Sequence, residues 1–213
     1  MRQGLSGRGL AVVGLAGIGL ATVGMAGAAG ACPSGSEDAA RGVTVVYDDG
    51  SVSHYWRNAD GVVVEEALFD DPEIDGYRVY ALHGLYVLEE YDLVGGAPDP
   101  ASRDRQSFAV ALKDLPLPAP GLSWQGVVEV TMEGEPPFAR TVTVVMRQPE
   151  TVSYGACSYE SWPVLLRHQD EVEDLMIALD YLPALEITVF RGFAEVGGEV
   201  DRYTPVSIEL RAP

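Results

Sequence analysis

From Val43 to the C-terminus, apolar residues come in short runs that alternate with polar ones and stop at Gly, Pro or Asp. That is the period-two pattern of half-buried strands. "VTVVYDDGSVSHYW" (Val43 to Trp56) is the clearest unit, two β-rich runs joined at Asp49-Gly50. A D-G pair supplies the positive φ angles of a tight hairpin. Val62 to Phe69 follows, bounded by Asp60-Gly61 and by the acidic turn "DDPEIDG", and Tyr77 to Leu93 reads as two strands around Gly84. Sequential strands at this spacing predict an antiparallel meander. Trp124 to Met132 and Ala139 to Arg147 return to the same pattern, with three more segments up to Leu210. "VTVV" at Val43 recurs at Val142, a weak hint of two halves, since short β-branched runs also recur by chance.

Two stretches are ambiguous. Asp99 to Pro116 carries helix signals, with Asp99 as N-cap, Pro100 at the first position and Pro116 as a stop. At period two, Phe108, Val110 and Leu112 share a strand face, and this predicts a strand from Ser107 to Leu112 after one helical turn. Leu115 to Gly121 ("LPLPAPG") reads as an extended crossover inside one domain. In "DEVEDLMIALDYLP", Val172, Leu175, Met176 and Leu179 suit a helix, whereas Leu175, Ile177, Leu179 and Tyr181 suit a strand.

The N-terminus reads as an export signal. Arg2 and Arg8 precede the apolar Leu10 to Val23, and small residues end at Ala29-Gly30-Ala31. The run is also long enough to span a membrane, although its glycines weaken both helix and hydrophobic transfer. There is no twin-arginine pair, so export of the unfolded chain is the simpler reading. Removing Met1 to Ala31 leaves chain enough for one well-buried domain. The net charge of −18 becomes more negative still when Arg2 and Arg8 leave. Such a surface repels phosphate and argues against nucleic-acid binding.

Cys32 and Cys157 are the chain's two cysteines. Three fates of Cys32 are open: lipid attachment, a disulfide with Cys157, or neither. Ala29-Gly30-Ala31-Cys32 matches the last three positions of a bacterial lipobox, and "PSGSEDAARG" behind it suits a flexible tether. Lipid attachment at Cys32 is the reading carried forward.

Catalytic signatures are weak. His54, His83 and His168 lie far apart with no metal-ligand spacing between them. "GLSWQG" misses the nucleophile-elbow spacing by one residue. Asp71, Glu73, Asp75 and Gly76 imitate a calcium loop, but Leu82 stands where its bidentate acid belongs. Glu65-Glu66 and Glu89-Glu90 place neighbouring carboxylates on opposite strand faces. Acids from different strands could meet for hydrolysis, which a sequence does not show.

Gly155, Cys157, Tyr159, Trp162 and Val164, then Tyr181-Leu182-Pro183 with Leu185 and Ile187, form a distinctive pair of segments. They resemble the C-terminal β-hairpin of small exported proteins of the tapB type, which are related in fold to half-barrels that carry lipoproteins or lipids across the periplasm. The resemblance implies that Leu175 to Tyr181 is a strand, and it implies no catalytic residue. Alternation alone gives Trp162, Val164 and Leu166 one face, and Leu179 and Tyr181 one face of the next strand. Such a face is either plain core or the wall of an apolar groove, with Phe190 joining it if the strand register allows.

The expectation is a mainly β protein, an antiparallel meander curved into a half-barrel or open barrel with at most short helices. Residues 1–31 are the signal, 32–41 a flexible tether and 42–213 a single β-rich domain. The expected role is that of a non-enzymatic envelope protein in the periplasm, held to the membrane through lipid on Cys32. It would bind a lipid or other apolar ligand along Trp162, Val164, Leu166, Leu179, Tyr181 and Phe190, or an envelope protein, and need no metal or cofactor. The alternatives are an acidic interaction module without a small ligand and a carboxylate-based hydrolase.

Overall fold

The hairpin signals become hairpins. In the computed structural model, which describes residues 31–69 and 75–211, β1 (Val43–Tyr47) and β2 (Val52–Arg57) flank the Asp49-Gly50 turn. β3 (Val62–Leu68) follows, then β4 (Gly76–Leu82) and β5 (Tyr86–Val94) around Gly84, and the two-residue β6 (Ala97–Pro98). β7 (Asp104–Phe108), β8 (Ser123–Met132), β9 (Phe138–Met146) and β10 (Glu150–Tyr154) continue the chain. The long β11 (Cys157–Gln169) pairs with β12 (Asp174–Leu182), and β13 (Ile187–Glu195), β14 (Asp201–Arg202) and β15 (Pro205–Leu210) complete it. The ambiguous segment before Pro183 is thus a strand.

All fifteen described strands belong to one antiparallel sheet that is not closed. Its main path follows the chain until β15 returns to lie outside β1, Val43 opposite Leu210; off that path, β6 pairs with β5 and β10 with β11. A meander needs only short connections between neighbours, which the Gly- and Asp-rich turns provide. The sheet curls on itself. Thr188 of β13 donates its hydroxyl to the Gly84 carbonyl (2.9 Å), and the Tyr55 hydroxyl of β2 accepts from the Phe190 backbone N–H (3.3 Å). Those residues lie many strands apart in the sheet order, so only a rolled sheet brings them together. Extra residues at Leu88 and Arg191, where the β4–β5 and β12–β13 registers shift, add bend and twist.

Two apolar clusters hold the roll. One joins Leu82, Leu85 and Tyr86 to Val128, Val144, Met146, Val164 and Leu166, with Phe108 and Trp124 packed edge-on or tilted around Tyr86. The other sets Val43, Val45, Tyr47 and Tyr55 against Leu185, Ile187, Val189 and Tyr154. β13 therefore works on both faces: Ile187 and Val189 enter this second cluster, while Thr188 and Phe190 turn to the inside of the roll.

Three expectations need correction. The strand placed at Ser107 to Leu112 is instead Asp104–Phe108; beyond it the chain leaves the sheet, and Val110 and Leu112 are exposed. The inner positions of β7 are Asp104, Gln106 and Phe108, polar enough to hide the strand from a hydropathy reading. The anticipated helical turn is present as a 3₁₀ turn, Pro100–Ser102, with the Asp99 carboxylate accepting from the Ala101 N–H (3.0 Å).

The stretch 32–41 is not a flexible tether. Ser36–Arg41 forms a short helix, α1, whose Ala39 is fully buried in the second cluster, and the Pro33 carbonyl accepts from the Tyr159 hydroxyl (3.0 Å). Cys32 is bonded to Cys157. A sulfur in a disulfide cannot also carry a thioether-linked lipid, so the attachment expected at Cys32 gives way to the disulfide alternative. The polar composition behind Cys32 suggested a loose segment because these contacts are all made by residues far away in sequence. The expected signal, Met1 to Ala31, lies outside the described residues except for Ala31.

Candidate functional site

The inside of the roll is not filled. A cavity of about 510 Å³ lies between β3–β5 on one side and β11–β13 on the other, walled by residues that include Val63, Val79, Leu166, Ile177, Leu179 and Phe190. A second cavity of about 450 Å³ shares Tyr77, Glu90, Leu175, Ile177 and Phe190 with it and continues towards Phe69, Phe193 and Tyr203. The volumes suit a small ligand.

The groove residues expected from sequence share the inner face. Leu166 pairs with Ile177, Val164 with Leu179, Trp162 with Tyr181, and Leu179 in turn with Phe190. They divide in position. Leu166, Leu179 and Phe190 line the first cavity. Val164 is buried in core, and Trp162 and Tyr181 pack ring against ring, with centroids 5.3 Å apart. Phe190 faces inward because the extra residue Arg191 resets the alternation of β13, so Phe190 and Phe193 fall on one face.

Sequence reasoning did not find the acids of this wall. One lateral row of inner positions runs Tyr55, Glu65, Val79, Glu90, Asp104, Met132 across β2, β3, β4, β5, β7 and β8. Glu65 and Glu90 flank Val79, so their backbones lie about 9.5 Å apart, two strand spacings. Glu65 accepts from the Tyr55 hydroxyl (2.8 Å) and the Ser53 hydroxyl (3.1 Å). Burial pushes it up to about 7 against the pull of those two donors. Glu90 is pushed up to about 7 as well, by burial first and then by the Asp104 carboxylate opposite it. Among the described residues Glu90 has no hydrogen-bond partner, and its carboxyl looks into both cavities. Tyr77, between the two acids and on the same wall, has its phenol raised by burial first and then by the Glu65 charge.

The far side of the first cavity is differently charged. Arg140 donates to Asp170 (3.0 Å) and Glu173 (3.1 Å) and lies 3.8 Å from Asp104. Beside it His168 is buried and held down at about 4, by burial first and then by the Arg140 charge. The partner acids of each sequence pair point outward: Glu66 is paired with Arg78, and Glu89 with Arg103. Of the residues imitating a calcium loop, Asp71 and Glu73 lie outside the described residues; Asp75 accepts from the Gly96 N–H (2.8 Å), and Leu82 is buried in core.

No family model, curated protein or solved structure matches the chain. What the lumen offers chemically is an apolar wall on the β11–β13 side, facing two carboxyl groups poised to gain or lose a proton near neutrality.

Proposed function

We propose that this is an exported, non-enzymatic protein that binds an apolar small ligand inside its rolled sheet. The observation that carries the reading is the unfilled lumen, with Leu166, Leu179 and Phe190 in its wall. Each methylene moved from water into such a wall contributes about 0.8 kcal/mol. The Cys32–Cys157 bond supports an oxidising compartment outside the cytoplasm. The half-barrel resemblance agrees with a carrier role. Native mass spectrometry of the purified protein tests it: an apolar molecule released on denaturation, and lost in Leu179→Arg with circular dichroism unchanged, is the expected result. An empty protein with no affinity for any apolar probe would instead favour the acidic interaction module.

A second reading has one specific observation in its favour. Glu65 and Glu90 line the same cavity, as the two acids of a hydrolase must. Such enzymes rely on environments that push the two apart, one protonated and one ionised. Here both are raised in the same direction to about 7, which favours binding over hydrolysis. Turnover of glycoside or ester substrates that is lost in both Glu65→Gln and Glu90→Gln would reverse this order.

A further inference from the structure

The lumen is apolar on one side and acidic on the other, and a fatty acid suits only the first of these. A carboxylate head placed among Glu65, Glu90 and Asp104 meets like charges in a cavity that screens them less than bulk water does. Arg140, a cation lining the same cavity, is already engaged by Asp170 and Glu173 and lies near Asp104. His168 is neutral there at ordinary pH and adds no positive charge. Asp92, one register step from Glu90 on the same face, adds another acid.

Glu90 is the informative residue. A carboxyl group taken out of water is costly unless something donates to it. Glu65 has its donors in Ser53 and Tyr55, whereas Glu90 is half-buried, unpartnered among the described residues, and lines the space that both cavities share. The Tyr77 phenol stands beside that space, also without a hydrogen-bond partner among the described residues. Opposite Glu90, Asp104 keeps one buried carboxylate oxygen without a partner, so this wall presents acceptors that lack donors. Across from them stand Leu175, Ile177 and Phe190.

We propose that the ligand is a cationic amphiphile, a protonated amine on an apolar skeleton, with Glu90 as counter-ion and the Leu175–Ile177–Phe190 wall receiving its apolar part. This rests on the apolar-ligand reading and narrows it. The ammonium group would supply the donors that Glu90 lacks and stabilise its ionised form. A site that is protonated when empty and ionised when filled releases a proton on binding, so affinity rises with pH through the range where Glu90 titrates. Asp104, Asp92 and Glu65 reinforce this sign, Arg140, facing Glu90 from β9, opposes it, and the Tyr77 phenol, raised by burial and then by the Glu65 charge, stays neutral.

The test uses the oxidised protein and three probes of one chain length below their micelle-forming concentrations: dodecylamine, dodecanol and dodecanoate. Isothermal titration should show dodecylamine binding more tightly than the other two by about tenfold or more at about pH 8, and less tightly at about pH 6. Titration in buffers of different ionisation enthalpy should show a proton released. Glu90→Gln, which keeps the side-chain shape, should remove most of the amine's advantage while leaving dodecanol unchanged; Glu65→Gln serves as a second variant if that one fails to fold. Equal or tighter binding of dodecanol or dodecanoate, or an amine affinity untouched by Glu90→Gln, overturns the cation inference and leaves the apolar lumen standing. Failure of all three probes removes both.

Discussion

Replacing Glu90 by Gln should make the protein more stable, and increasingly so as pH rises. An unfolded glutamate titrates near about 4.3, whereas folded Glu90 titrates at about 7 because burial and the facing Asp104 oppose its charge. Between those values the folded protein keeps a proton that the unfolded chain has released. Stability therefore falls as pH rises across the window, and the loss is complete only above the folded value. Integrated from about pH 6 to about pH 8, one such group costs roughly 1 to 2 kcal/mol. Glu65, also at about 7, adds a similar amount. His168 works the other way: it is held neutral down to about 4 in the folded protein, so its effect is a gain of stability as pH rises towards the unfolded value near about 6.5. The quantity to measure is thus the difference between wild type and Glu90→Gln, in which the histidine contribution cancels. Urea unfolding of the oxidised proteins, with m unchanged, should give a difference that grows by roughly 1 to 2 kcal/mol between about pH 6 and about pH 8. A difference that is flat or shrinks with pH would show that Glu90 is ionised and well solvated, and the reasoning about the lumen would fail with it.

Three further outcomes follow from the packing. Cys157→Ala should cost about 2 to 4 kcal/mol in urea unfolding, since the bond ties residues 125 apart; the intact mass of the wild type should be two hydrogens short and carry no acyl group. Gly84→Ala should cost about 1 to 3 kcal/mol by thermal or urea unfolding, because Gly84 has φ +71° and a Cβ there would lie 2.6 Å from Thr188 Oγ1, at the contact that seals the roll. Asp180→Ala should cost about 2 kcal/mol or more, since buried Asp180 accepts from the Tyr154 hydroxyl (2.6 Å) and from Arg191 (2.7 Å), and both donors would lose their acceptor; a chemical-denaturation midpoint equal to wild type would argue against that network.

The meander was legible because each hairpin carries its own turn chemistry beside its own alternation. Asp49-Gly50, Asp60-Gly61 and the glycine at 84 mark places where only local forces decide. Alternation also assigned Trp162, Val164, Leu166, Leu179 and Tyr181 to one face without help from the fold. It failed where the register slips. The extra residue at Leu88 carries Val87 and Glu90, three apart, to the same side, so the parity of β5 changes midway and an acid enters the lumen unseen. Strand β7 was displaced because its inward positions include an aspartate and a glutamine, which alternation of hydropathy does not mark as a buried face. The partner of Cys32 was one of several open alternatives, since nothing near residue 32 in the sequence reports on a cysteine at 157.

The return of β15 to the side of β1 has a consequence for the time course of folding. The first strand of the sheet is flanked by β2, formed within a dozen residues, and by the last strand, where Val43 meets Leu210. Contacts of such separation are slow to form, because the intervening chain must be brought to order before they are rewarded. While the chain folds, then, β1 and β2 wait as an exposed hairpin with a bare edge until β15 joins them. Cys32 waits likewise for residue 157, but in a chain with two cysteines it has no wrong intramolecular partner to find. The vulnerable interval is between molecules: a partly folded chain offers both an unpaired edge and a free thiol to its neighbours, and their concentration where the chain folds sets how often they meet.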